Sequence, residues 1–313
     1  MGFITKKSAL FALAVACSLA LAACAPRSVM VREFVDMVEQ GLPAIEQEDD
    51  LHLLAKSMPA HIKLLETLLA SDPGNEKLLV LLARLYGGYA FAILESELEA
   101  LRLKRPSVVE TGIAPGLLDD AAGRYFQRGA QYALRSLENR YPQARSQLNQ
   151  LITAEAFIRS TEAEDVPALF WYGFNLGGFV QHRLDSVEAM AKAHLVEKTM
   201  DRVVELNEAY HHGDAYLALL VYHASRAPMM GGNPEKARKY FQRHTEMNNG
   251  VPSLGTVYWA RYILVRQQDR EAFVQSLSTV VQIRERDRSA RLLDRVAAVR
   301  AQLYLDAADR FFD

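Results

Sequence analysis

The chain has 313 residues with a formal net charge of −2, and half of its residues are hydrophobic. This near-neutral balance, without a long basic run, gives no support for a nucleic-acid partner. Both cysteines, Cys17 and Cys24, lie in the first 24 residues. The rest of the chain therefore has no thiol for a disulfide, a cysteine metal site or a catalytic cysteine.

The N-terminus has the composition of an export signal. Lys6 and Lys7 precede an uncharged run over 8–22, which has the length of a signal-peptide core and is shorter than the ~20 apolar residues of a membrane span. The segment LAAC, ending at Cys24, resembles the bacterial lipobox. That resemblance implies cleavage before Cys24 and attachment of acyl chains such as palmitate to its thiol.

Ala25 follows the cysteine where an aspartate would favour the inner membrane, and by resemblance to lipoprotein sorting signals this favours the outer membrane. We therefore predict a lipoprotein of the bacterial cell envelope that is anchored in the outer membrane and faces the periplasm. The predicted parts are a signal peptide at 1–23, a lipid-anchored tether with an N-terminal helix at 24–48, and a helical domain at 49–313.

Beyond the signal, apolar residues recur at spacings of three and four, which predicts an all-α protein. Asn233, Pro234 and Glu235 supply a helix cap, a first-turn proline and a first-turn carboxylate. The longest predicted loop is 106–116. Helices are predicted near 30–47, 50–70, 76–104, 119–140, 143–160, 165–182, 185–207, 214–226, 234–248, 253–267, 269–282 and 290–308.

A repeat pattern suggests how these helices are arranged. The second helix of a tetratricopeptide repeat carries a small residue, a bulky one four positions later and often a proline after the helix. The positions that match this pattern are Ala130, Leu134, Leu137 and Pro142, then Ala237 and Phe241, and more loosely Val196, Met200 and Val203. We predict an irregular tetratricopeptide-like array, an α/α superhelix, with a generic antiparallel bundle as the alternative. Stacked repeats leave a concave surface that suits binding more than catalysis.

Aromatic residues crowd two of the predicted helices. The run FWYGF at 170–174 covers the whole circumference of its helix, so the helix is either central or lines a cavity. Arg226 precedes the loop 227–233, where its guanidinium could bind a ligand carboxylate or cap the carbonyls at the end of its own helix. The candidate ligand-binding residues are Trp171, Tyr172, Asn175, Tyr222, Arg226, Met229, Tyr258 and Trp259.

No motif for catalysis is present. The sequence has no His-Glu-x-x-His run, no Gly-x-Ser-x-Gly elbow and no phosphate-binding glycine loop, so we predict no enzyme, cofactor or metal. The pairs Gly87-Gly88 and Gly177-Gly178 are interpreted as close helix contacts. The adjacent His211 and His212 are predicted to lie in a solvated loop, and the acidic residues at 162–165 to complement a helix dipole.

Two segments carry the most specific pattern. One is ALFWYG at 168–173, followed by VEKTMDRVVEL at 196–206; the other begins with AYL at 215–217 and continues to SRAPMMGGNPEKAR at 225–238. Together they resemble the TRAP transporter T-component (TatT) family of envelope lipoproteins with cryptic tetratricopeptide repeats. The resemblance implies a homotrimer with a pore or cleft in each subunit, and a periplasmic solute-binding protein of a tripartite ATP-independent transporter as partner. It also implies a small organic-acid or hydrophobic ligand.

Two functions are compatible with these observations. The first is an accessory scaffold of a TRAP-type uptake system that holds a small ligand and docks the solute-binding protein. The alternative is a tetratricopeptide scaffold for the assembly of outer-membrane or secretion machinery. A cavity with aromatic rings inside would favour the first, and an open groove lined by Asn, Lys and Arg would favour the second. An envelope hydrolase is a third and weaker reading, because no motif for paired catalytic carboxylates is present.

Overall fold

The computed structural model of the protein describes residues 27–282 and 291–312, so the predicted signal peptide and Cys24 lie outside the described residues. Within these ranges the chain forms thirteen α-helices and no β-strand, which confirms the all-α prediction. The helices are α1 (Arg27–Glu46), α2 (Leu51–Leu69), α3 (Glu76–Arg102), α4 (Leu118–Arg140), α5 (Ala144–Leu148), α6 (Leu151–Ser160), α7 (Val166–Gln181), α8 (Val187–Asn207), α9 (Asp214–Ser225), α10 (Pro234–Met247), α11 (Leu254–Trp259, continued by Ala260–Leu264 and Val265–Gln267), α12 (Arg270–Gln282) and α13 (Arg291–Asp306).

The helix ends follow the cap chemistry of the sequence. Asn233 caps α10, and its side-chain oxygen accepts hydrogen bonds from the amides of Glu235 and Lys236. One predicted helix, 143–160, is two helices, α5 and α6. The chain breaks at Gln150, whose backbone is extended, and the Thr153 hydroxyl donates to the carbonyl of Gln147 at 2.7 Å. This side-chain bond competes with the backbone bonds of a continuous helix.

Consecutive long helices run antiparallel to each other. At one end of the α3–α4 pair, Arg102 forms an ion pair with Asp119 at 3.0 Å. At the other end, the Asn139 side chain donates to the carbonyl of Gly74 at 2.9 Å. The helices α4 and α7, and then α7 and α8, form further neighbouring pairs. Rows of paired helices are typical of helical repeat proteins, while the tetratricopeptide register itself stays a prediction.

A buried amide marks the closest approach in this row. Asn175 on α7 is fully buried, and its Nδ2 donates to the carbonyl oxygens of Ala83 at 3.0 Å and Trp171 at 2.7 Å. A β-carbon on Gly87 would lie 2.5 Å from Asn175 Oδ1, and one on Gly129 would lie 2.2 Å from it. Gly87 and Gly129 therefore let α3 and α4 approach α7, as predicted for Gly87, whereas a β-carbon on its neighbour Gly88 would meet nothing within 4 Å.

Helix α3 is the core of the protein. Among the described helices it alone is long and apolar enough to cross a membrane, yet 72 % of its most apolar window is buried inside the protein. Its middle contains a π-helical turn, Ala90–Leu94, and α11 contains a second one, Ala260–Leu264. π-Helical turns often accompany functional sites because they displace backbone groups from the regular helix pattern.

Candidate functional site

An elongated cavity of about 470 Å³ lies between the helices. Its wall includes residues of α3 from Arg84 to Glu95, which are eleven positions apart. At 1.5 Å per residue, this wall is about 17 Å long. The volume falls in the range of small-molecule sites, and the shape suits an extended ligand.

Most of the cavity wall is apolar and aromatic. Phe170 and Phe174 stack with ring centroids 6.1 Å apart, and Trp171 meets Phe174 edge-on at 5.4 Å. On the facing helices, Tyr222 and Tyr258 contribute further rings. Such rings offer large apolar surfaces with few polar atoms, which favours an apolar ligand chain along most of the cavity.

Four of the eight predicted binding residues line this cavity: Trp171, Tyr222, Arg226 and Tyr258. The other four lie elsewhere. Tyr172 and Asn175 are buried between helices, Trp259 stacks on Phe241 with centroids 4.8 Å apart, and Met229 is 92 % exposed. Neighbouring helix residues point about 100° apart, and Tyr172 and Trp259 point away from the cavity that Trp171 and Tyr258 line. In the loop, Met230 lines the cavity instead of Met229.

Arg226 lies at the wall near the C-terminal end of α9. Its Nη1 donates to the carbonyl of Tyr222 at 3.1 Å, and its guanidinium lies 4.0 Å from the centre of the Tyr222 ring. No carboxylate of the described residues forms an ion pair with it. Burial lowers the pKa of Arg226, although arginine keeps its charge at physiological pH. The helix-end bond therefore leaves most of the guanidinium donors available to a ligand.

Glu95 is a second charged group at the wall, and it is fully compensated. Its two oxygens contact Arg300 at 3.2 Å and His182 at 3.1 Å, and the other nitrogen of His182 contacts Asp119 at 2.8 Å. Burial raises the pKa of Glu95, but the contacts with His182 and Arg300 outweigh it and lower the pKa below its usual range. The carboxylate is therefore charged and already bound within the protein.

Arg300 joins the two π-helical turns. Its buried guanidinium donates to the carbonyl of Phe91, inside the turn of α3, and to the hydroxyl of Tyr258, just before the turn of α11. Phe91, Tyr258 and Glu95 all line the cavity. Arg300 thus holds three wall residues in place without lining the cavity itself. No sequence motif around Arg300 indicated this role in positioning the wall residues.

His211 is the residue that sequence reasoning placed wrongly. It lines the cavity with a side chain that is 18 % exposed, rather than lying in solvent, while His212 is exposed. Its φ of 49° and that of His212, 60°, are left-handed, and Gly213 follows at 78°. This turn directs the His211 ring onto Phe170, with centroids 5.4 Å apart. The Gly213-Asp214 pair before α9 was the available signal for a tight turn.

The cavity wall offers groups that could bind a ligand. In the described ranges, no group of three or more His, Cys, Asp or Glu residues could hold a metal ion. The acidic residues at 162–165 serve the fold: Asp165 forms an ion pair with Arg140 at 2.9 Å and accepts a hydrogen bond from Tyr141. An aromatic wall with a guanidinium that no described carboxylate pairs is suited to hold an amphipathic anion.

Comparison with known proteins assigns the chain to a family. A sequence profile described as TRAP transporter T-component matches residues 47–312. An uncharacterized protein of Treponema pallidum (strain Nichols) is 25 % identical over 241 residues, which cover 76 % of this chain and 72 % of that protein. The chain belongs to the TRAP transporter T-component family, whose members are transport accessories of the bacterial cell envelope.

Proposed function

We propose that the protein is the ligand-holding accessory of a TRAP-type (tripartite ATP-independent periplasmic) uptake system, and that its cavity takes an organic acid with an apolar chain. The observation that carries this proposal is the guanidinium of Arg226, which no carboxylate of residues 27–282 or 291–312 pairs, at the wall of an aromatic cavity. A carboxylate would bind Arg226 while the chain of the ligand lies along the rings. Charge-assisted bonds of this kind are among the strongest polar contacts in proteins.

The proposed partner is a periplasmic solute-binding protein. Leu184 and Met230 line the cavity and are themselves 64 % and 52 % exposed, which indicates that the cavity opens near them. Val187, the first residue of α8, and Met229, next to Met230 in the loop 227–233, are 86 % and 92 % exposed. Exposed apolar residues around an opening are typical of protein contact sites. Docking there would let a ligand pass between the two proteins.

The assembly that we propose is a homotrimer held to the outer membrane by lipid on Cys24. Two or three acyl chains would make the attachment permanent, since each buried methylene contributes about 0.8 kcal/mol. Mass spectrometry of the purified lipoprotein, intact and after dissociation, tests the lipid and the trimer separately. A monomer would contradict only the oligomeric part.

Arg226→Met tests the ligand role, because methionine keeps an apolar stem and removes the charge. The matched control is Arg266→Met: Arg266 donates to the carbonyl of Ala224 at 2.8 Å, at the same end of α9, but does not line the cavity. We expect Arg226→Met to weaken binding of dodecanoic acid by roughly tenfold or more, and to leave its methyl ester unaffected. If both variants weaken dodecanoic acid binding equally, the ligand role of Arg226 is contradicted and only its role as a helix cap remains.

The partner is tested by crosslinking in native envelopes and mass spectrometry of the captured proteins. Recovery of a periplasmic solute-binding protein, lost on Met229→Asp with Met230→Asp, is the expected result. Recovery of outer-membrane assembly or secretion components in its place would contradict the transport role and support the scaffold alternative.

A further inference from the structure

A second polar group faces the cavity at the end remote from Arg226. His211 precedes α9 and Arg226 follows it, so the length of α9 separates the two residues. Twelve helical residues, Asp214–Ser225, correspond to about 18 Å. Both residues line the same cavity. A ligand that extends along the cavity from Arg226 therefore reaches His211 with its other end.

The protein fixes the orientation and the tautomer of His211. Its ring lies on Phe170 and edge-on to Trp171, and its Nδ1 is 2.8 Å from Asp214 Oδ2. Burial would raise the pKa of Asp214, but the contacts with His211 and His244 outweigh it and hold the pKa well below its usual range. A charged carboxylate only accepts hydrogen bonds, so Nδ1 carries the proton. In the neutral ring, Nε2 is then a hydrogen-bond acceptor.

The other charged groups at this end of the cavity already have partners. Glu46 and Arg84 form an ion pair with each other, and the second oxygen of Asp214 faces His244 Nε2 at 3.6 Å. By contrast, no group in residues 27–282 or 291–312 bonds to Nε2 of His211. His211 thus lines the cavity with one ring nitrogen that the described residues leave without a partner; His212 also lines the cavity, but its side chain is exposed.

The backbone conformation at His211 and His212 is a further sign that the position of the His211 ring is specific. Two consecutive non-glycine residues, His211 and His212, have left-handed φ values, followed by Gly213. Such conformations are unfavourable for residues with a β-carbon and persist where the surrounding contacts require them. This turn places the His211 ring against Phe170, Trp171 and Asp214.

We propose that His211 is a ligand-binding residue whose Nε2 accepts a hydrogen bond from a hydroxyl group at the far end of the ligand. The ligand class is then a long-chain hydroxy acid, with the carboxylate on Arg226 and the hydroxyl on His211. This inference rests on the proposed function for the carboxylate end alone. It adds the identity of the second functional group and its distance from the first.

The test compares two ligands on the purified full-length lipoprotein in detergent. Affinities for dodecanoic acid and ω-hydroxydodecanoic acid are measured by isothermal titration calorimetry on the wild type, on His211→Asn and on His194→Asn. Asparagine tolerates the left-handed backbone at position 211. His194 lies on α8 away from the cavity wall and is the matched control. The ratio of the two affinities cancels any general loss of folded protein.

The wild type and His194→Asn should bind the hydroxy acid roughly tenfold tighter than dodecanoic acid, as one buried hydrogen bond allows. In His211→Asn the ratio should fall to about one. Equal affinities in the wild type, with binding still dependent on Arg226, would overturn the role of His211 and leave the proposed function in place. Absence of binding of both acids to the wild type would overturn the two proposals together.

Discussion

Two adjacent glycines on α3 provide a sharp test of how closely the core helices pack. A β-carbon on Gly87 would lie 2.5 Å from Oδ1 and 3.1 Å from Cγ of Asn175, whereas one on Gly88 would meet nothing within 4 Å. Both positions are interior to the same helix, so alanine gains about 1 kcal/mol of helix propensity at either. The difference between Gly87→Ala and Gly88→Ala therefore isolates the contact with Asn175.

The magnitude follows from what Asn175 would lose. Overpacking a core costs about 1–3 kcal/mol. Displacing the amide also weakens two buried bonds, to Ala83 and Trp171, each contributing about 1 kcal/mol. We expect Gly87→Ala to be less stable than Gly88→Ala by about 2–4 kcal/mol, which for a protein of this size corresponds to a melting temperature about 3–7 °C lower.

The assay is thermal unfolding of the two variants, followed by circular dichroism at the helix band and by differential scanning calorimetry. Wild-type protein should unfold between the two variants, because Gly88→Ala gains propensity without a clash. Identical melting temperatures for both alanine variants would refute the close packing of α3 on Asn175. So would a crystal structure of Gly87→Ala with Asn175 unmoved.

Further predictions concern the charges and rings around the cavity. Arg300→Met should destabilise the protein by about 3–5 kcal/mol in thermal unfolding, because it leaves the Glu95 carboxylate buried without its cation, and adding Glu95→Gln should restore part of the loss. The contacts of His182 with carboxylates outweigh burial and raise its pKa above 6.5. Its contribution to the free energy of unfolding is therefore complete below pH 6.5 and is lost as the pH rises through the pKa of the folded state. The melting-temperature difference between wild type and His182→Asn should accordingly shrink at alkaline pH. The chain has two tryptophans, and Trp171 alone lines the cavity; quenching of tryptophan fluorescence by a brominated fatty acid should vanish in Trp171→Phe and persist in Trp259→Phe, and the opposite pattern would contradict the location of the cavity.

The helices could be predicted because their signals are local. Cap residues such as Asn233 and turn residues between apolar runs mark the helix ends within a few positions. The break at Gln150 could not, because it depends on a side-chain bond of Thr153 that competes with a regular helix. The tetratricopeptide register likewise depends on the packing of neighbouring helices rather than on any one segment.

The candidate site was predicted in part, because the sequence does not determine how each helix is rotated about its own axis. Aromatic crowding identified the two helices that supply rings, but not which face of each helix meets the cavity. Trp171 and Tyr258 line it while their neighbours Tyr172 and Trp259 do not. His211 was missed since its position depends on a left-handed turn, which a loop sequence permits but does not require.

The cavity also connects ligand supply to folding. Space of about 470 Å³ between apolar side chains leaves those side chains with fewer dispersion contacts than a filled core would give them. Any molecule that fits therefore stabilises the folded state by mass action, by about 2.7 kcal/mol at a hundredfold excess over its dissociation constant. Under the proposed function, a cell supplied with the ligand would accumulate more of the folded protein, because unfolded chains in the envelope are exposed to proteases. The abundance of the protein would then report the availability of its cargo without any change in transcription.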